Sequence, residues 1–189
     1  MFMEIDEILE RIHPLPTGSR EALKAHISEV RCLKGHSLIQ AGRVGKTLYF
    51  IRSGIVRAYS DTDGGDVTFW FGKEGDVVIS MKSFVSGQPG YEHIETMEAS
   101  DLYQMKSQHL ESLFATDIHL ANWGRKLIGR ELIKTEERLI SMQFKTAQER
   151  YLDLLSATPD LLQRVPLCHI ASFLGITQVS LSRIRSEIR

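Results

Sequence analysis

Residues 169–189 read "HIASFLGITQVSLSRIRSEIR", and the folding of this stretch decides what kind of molecule the chain is. Ile170, Ala171, Leu174, Ile176, Leu181 and Ile184 fall where two short helices crossing at a steep angle bury their contact. Ala171 is small where the helices approach most closely, and Gly175 can take the left-handed conformation that ends the first of them. Thr177 is placed to cap the second. Together these features predict a helix-turn-helix, with helix 177–188 lying in the major groove of DNA. Gln178, Val179, Ser180, Ser182, Arg183 and Ser186 project from that helix. Gln178 suits adenine, Val179 a thymine methyl, and Arg183 a guanine edge or a phosphate. Ser180, Ser182 and Arg185 are assigned to the DNA backbone. A helix end in solvent is as good an account of Arg185 and Arg189.

The charge distribution agrees with a DNA-reading tip. The 189-residue chain has a formal net charge of -1, yet residues 163–189 carry four arginines against Glu187 alone. Apolar residues make up 42% and charged residues 25%, an ordinary balance for a soluble globular protein. The N-terminal "MFMEIDEILERIH" is acidic and amphipathic, unlike a signal peptide, and no apolar run is long enough to span a membrane. A reduced cytoplasmic protein follows, since the two cysteines, Cys32 and Cys168, form no ligand-spaced pair. No His-x-His pair, no nucleophile beside a base and no phosphate-cradling loop motif occurs, so neither a catalytic residue nor a metal nor a cofactor is expected. A cupin-type metal enzyme is the remote alternative.

Upstream, the periodicity changes twice. Residues 4–13 and 19–30 read as short helices, the second capped by Ser19. From about 30 to 106 come short β-rich runs punctuated by glycine: "SLIQ", "TLYFIR", "GIVRAYS", "DVTFWF", "DVVIS", "YEHIETME" and "SDLYQM". "DGGD" at 63–66 marks a hairpin turn, and the regular spacing predicts an antiparallel jelly roll. Beyond 107 the pattern is helical. Ile118, Ala121, Arg125, Ile128, Leu132, Thr135, Leu139 and Met142 recur at alternating three and four residues, the spacing of a helix-pairing seam and so of a homodimer. Leu120, Trp123, Leu127, Ile133 and Ile140 widen the face to be buried. Thr146 with Glu149 forms a capping box, and Pro166 suits a first helical turn.

At residues 33–78, "LKGHSLIQAGRVGKTLYFIRSGIVRAYSDTDGGDVTFWFGKEGDVV" resembles the cyclic-nucleotide-binding jelly roll of the cyclic-AMP receptor protein and FNR (CRP/FNR) family of bacterial transcription regulators. "AQERYLDLL…RVPLCHIASFLGITQVSLSRIR" is similar to that family's DNA-binding domain, and the order of parts agrees. The resemblance implies a homodimeric regulator of double-stranded DNA, with RNA polymerase as a further partner. It also shows departures. Members that bind cyclic AMP carry a Gly-Glu pair after the "GD" turn and an Arg-Ser pair some ten residues later, whereas Ile79 and Ser80 stand at the first pair. Tyr91, Glu92 and His93 lie near the second, with no arginine between Arg57 and Arg125. On the long helix Ile133 and Lys134 replace a Thr-Ser pair. Control by cyclic AMP is therefore not expected. A different small-molecule effector would meet Ser80, Met81, Lys82, Ser83, His93, Ile133 and Lys134. The family's iron–sulfur members need more cysteines than this chain has. Many members also continue into a β-hairpin wing past the point where this sequence ends, and a head without one loses phosphate contacts.

The expected architecture is α+β: a β-barrel domain with N-terminal helices over 1–116, a dimerisation helix over 117–144, and a wingless helix-turn-helix domain over 145–189. The expected function is major-groove DNA binding by a dimeric regulator, the alternative being a sensor module with DNA binding as its output.

Overall fold

The computed structural model describes residues 2–188. They form two compact units, one of residues 2–58 and 71–131, the other of residues 59–70 and 132–188. Arg189 lies outside the described residues.

The first unit opens with helices α1 (Ile5–Ile12) and α2 (Thr17–Lys24). Glu4 and Glu7 close a capping box at the start of α1. The expected second helix is shorter and starts earlier than its sequence suggests: Pro16 stands at the N-cap, and Ser19 is buried inside it. Residues 28–32 are not helical but form strand β1 (Ser28–Cys32). The reason is non-local, because β1 pairs antiparallel with β8 (Ser100–Lys106), setting Ser28 opposite Gln104 and Cys32 opposite Ser100. The other expected runs become β2 (Ser37–Ile39), β3 (Thr47–Ser53), β4 (Val56–Thr62), β5 (Gly65–Gly72), β6 (Val77–Val78) and β7 (His93–Thr96). Two four-stranded sheets result, ordered β1-β8-β3-β6 and β2-β7-β4-β5. Between β6 and β7 runs a short helix, α3 (Met81–Ser86), which the sequence reading did not contain.

Alternation along β3 and β8 sends Leu48, Phe50, Tyr103 and Met105 to one face, where they meet Ile8, Leu9 and Ile12 of α1. The helix α4 (Ser107–Thr116) adds Leu110, and α5 (Ile118–Phe144) adds Leu120, Trp123 and Leu127. Trp123 is fully buried, and its indole N–H donates to the Leu9 carbonyl at 3.0 Å. Asp117 starts α5 by accepting the His119 and Leu120 amide N–H groups at 2.8 and 3.3 Å. Beyond Leu127 the expected burial does not extend. Ile133 and Ile140, counted with the buried face, are 55% and 54% exposed.

In the second unit, α6 (Ala147–Ala157), α7 (Leu161–Arg164), α8 (Leu167–Phe173) and α9 (Gln178–Glu187) follow one another. The Thr146–Glu149 capping box forms as expected. Pro166 is the N-cap of α8, one place before its first turn.

Candidate nucleic-acid interface

The pair α8–α9 is built from its own sequence. Ile170, Ala171, Leu174, Leu181 and Ile184 are all buried, and Ile176 is half-buried. Gly175 has φ +68°, where a side chain would be strained. Around it the Gly175 N–H donates to the Ser172 carbonyl and the Ile176 N–H to the Ala171 carbonyl, both at 3.0 Å. This paired arrangement satisfies two carbonyls that a helix end leaves open. The Thr177 hydroxyl accepts the Ser180 N–H at 3.1 Å and starts α9.

Two arginines complete the turn, and neither was singled out in the sequence. The Arg150 guanidinium donates to the Leu174 carbonyl through Nε at 3.1 Å and Nη2 at 2.9 Å, and to the Lys145 carbonyl at 2.6 Å. Arg138 of α5 donates to the Phe173 carbonyl at 2.8 Å and lies 4.0 Å over the Phe173 ring. Two cations thus meet the negative end of α8. Burial, and then the neighbouring Arg150, lower the Arg138 guanidinium to about 10, which leaves it charged at neutral pH. On another side of α8, the tip of the β4–β5 hairpin is held by Ser172. Its hydroxyl accepts the Thr68 N–H at 2.9 Å and donates to the Asp66 carbonyl at 3.3 Å. A cap and a glycine can be read locally, whereas these arginine and hairpin contacts join residues far apart in sequence.

With its inner face so occupied, α9 turns its other side outward. Gln178, Ser182, Arg183 and Ser186 are exposed, and Val179 is 81% exposed. Arg183 approaches only Glu187, at 3.8 Å, with 78% of its side chain exposed. Ser180 and Arg185 are half-buried.

On α5, Ile118, Leu132, Leu139 and Met142 are 69%, 60%, 57% and 37% exposed. Arg125 and Thr135 are exposed too, and Ala121 and Ile128 half-buried.

The expected effector residues divide between the units. Ser80, Met81, Lys82, Ser83 and His93 belong to the first, Ile133 and Lys134 to the second. Ser80 and Ser83 are buried, and the Ser80 hydroxyl donates to Ser83 Oγ at 3.0 Å. Ser83 in turn donates to the Gln88 carbonyl at 2.9 Å and accepts the Gly45 N–H at 3.0 Å. Glu92 is buried beside them and accepts the Tyr91 N–H at 3.0 Å. A Cβ at Gly90 would lie 2.6 Å from Ser80 Oγ and 2.8 Å from each Glu92 oxygen, so a side chain there would require these groups to shift. Lys82 is exposed, and Met81 and His93 are half-buried. The buried cation of this unit is Arg57 on β4, 1% exposed and 3.3 Å from Glu95 on β7. It was passed over in the sequence because the runs around it read simply as strand.

Comparison with known proteins agrees with this architecture. Residues 29–117 match the family described as "Cyclic nucleotide-binding domain". The chain is also similar to proteins named as regulators. It is 23% identical over 193 residues to Electron transport regulator A of Shewanella oneidensis, covering 96% of this chain and 70% of that protein. It is 25% identical to the Fumarate nitrate reduction regulatory protein of Klebsiella oxytoca, covering 78% of this chain and 52% of that one. The chain thus spans about half the length of this second relative. In fold it is similar to the c-di-GMP responsive global regulator CLP of Xanthomonas campestris, with a TM-score of 0.72 at 20% identity, covering 92% of this chain and 91% of that one. Among the described residues no helix is long and apolar enough to cross a membrane.

Proposed function

We propose that the chain is a homodimeric DNA-binding transcription regulator in which α8 and α9 act as a helix-turn-helix and α9 reads the major groove. The observation that carries this reading is the outer face of α9. A helix held on its inner side by Leu181 and Ile184 presents Gln178, Val179 and Arg183 to solvent, a set suited to base edges. Ser180, Ser182 and Arg185 are assigned to phosphates. The exposed apolar residues of α5 support pairing of two chains along the stripe from Ile118 to Met142. Dimeric heads of this kind read half-sites about one helical turn apart. The relatives named as regulators agree with this class of function.

Cyclic AMP is not the controlling ligand in this reading. The buried Glu92 carboxylate, near the place of the recognising arginine, would repel a cyclic phosphate. Selection of bound duplexes from a random pool, with and without cyclic AMP, tests both parts. An enriched inverted repeat that is indifferent to the nucleotide is expected. Enrichment that appears only with the nucleotide would overturn the second part, and no enrichment by folded protein the first.

A further inference from the structure

A cavity unrelated to DNA reading lies in the first unit, between β2, β3 and the loop joining them. Its volume is about 310 Å³, at the small end of the range for sites that hold organic ligands. Arg43 and Lys46 both line it, and no carboxylate does. Both side chains are exposed, and neither forms an ion pair among the described residues. Ser37, Gln40 and Thr47 add neutral hydrogen-bonding groups around these charges. Tyr49 supplies a half-buried ring.

The loop is fixed in place from outside the cavity. The Gly42 N–H donates to the Gly90 carbonyl at 2.9 Å, and the Gly90 N–H returns to the Arg43 carbonyl at 3.3 Å. The Gly45 N–H is held by Ser83 Oγ at 3.0 Å, and the Lys46 carbonyl accepts the Ser107 N–H at 2.9 Å. Gly42 has φ +76°, which lets the chain turn into the loop. The backbones that carry the two cations are therefore ordered before any ligand arrives, which removes part of the cost of binding.

We propose that this cavity binds a phosphorylated small molecule, its phosphate held between Arg43 and Lys46 and its body against Tyr49. A dianionic phosphate offers several acceptor oxygens to two cations and their neutral neighbours, a better match than a single carboxylate. Burial pushes the Tyr49 phenol above its ordinary value, so it remains a neutral donor at physiological pH. The ligand site sits on the outer side of the loop whose inner side packs on Ser80 and Ser83.

Calorimetric titration of the full chain with AMP, inorganic pyrophosphate and adenosine tests the proposal. AMP and pyrophosphate are expected to bind at one site per chain and to compete with each other, more weakly as salt rises, while adenosine does not bind. The Arg43→Gln/Lys46→Gln variant is expected to lose at least about tenfold in affinity for both, as removal of two charge-assisted contacts should cause. Its thermal unfolding without ligand should be unchanged; if it is not, the single Lys46→Gln variant serves the same comparison. Absence of saturable binding by either phosphate compound would overturn the proposal. So would equal binding of adenosine, or undiminished affinity in the variant. Because neither residue lies on α8 or α9, these outcomes do not depend on whether the chain binds DNA.

Discussion

At the residue scale, specificity is assigned to Arg183 and Val179 under the proposed function. If Arg183 reads a base, Arg183→Ala costs ~1–3 kcal/mol of DNA affinity and relaxes preference at one position, measurable by fluorescence anisotropy on a panel of single-base operator variants. An equal loss on every variant would make it a phosphate contact. Arg150 acts from behind the reading helix. Replacing it with Met leaves the Leu174 carbonyl without the two bonds it now accepts, which should cost about 1–3 kcal/mol in denaturant unfolding. Gly175→Ala is unfavourable because the backbone is left-handed there, while Met142 Cε, 2.7 Å from the added Cβ, ends a flexible side chain and can move aside. The glycine and the Thr177 cap were legible because turn and cap chemistry act within a few residues. Arg138 and Arg150 were not, because what marks them is the carbonyls they reach, 35 and 24 residues away.

Elements follow the same division. The β4–β5 hairpin was readable from "DGGD", where Gly65 takes φ +109°, and α6 from its capping box. Strand β1 was misread as the end of a helix, since its identity comes from pairing with β8, far along the chain. The six-residue α3 is too short to show a period. Capping also makes stability depend on acid. Hydrogen bonds from the Thr146 backbone and side chain hold the Glu149 carboxyl below its ordinary value, and Arg52, then Tyr103, do the same for Glu4. Carboxyls lowered on folding contribute stability that is present above their unfolded pKa and lost as pH falls through the folded one. Unfolding midpoints should therefore drop below about pH 4.5, and Glu149→Gln should flatten part of that fall. The buried face of α5 is a stronger determinant. Trp123→Ala removes a fully buried indole and should cost ~3–5 kcal/mol.

At the scale of the whole molecule, the account requires two chains. The apolar residues that α5 leaves exposed should be covered by a second copy, so Leu132→Lys together with Leu139→Lys should give a monomer by sedimentation, with each unit still folded. The order of elements, antiparallel strands then a long helix then short helices, was legible because each has its own period. The assignment of residues 59–70 to the second unit was not, because contacts such as that of Thr68 with Ser172 join residues far apart in sequence. The central claim is that α9 reads bases, once from each of two chains. The most direct test compares random-duplex selection by the wild-type chain and by Val179→Glu. A glutamate at that position would accept a hydrogen bond from cytosine in place of a thymine methyl contact. The account predicts an inverted repeat for the wild type, and for the variant the same repeat with one base changed at the symmetric position of both halves. An unchanged repeat, or a preference without two-fold symmetry, would contradict it.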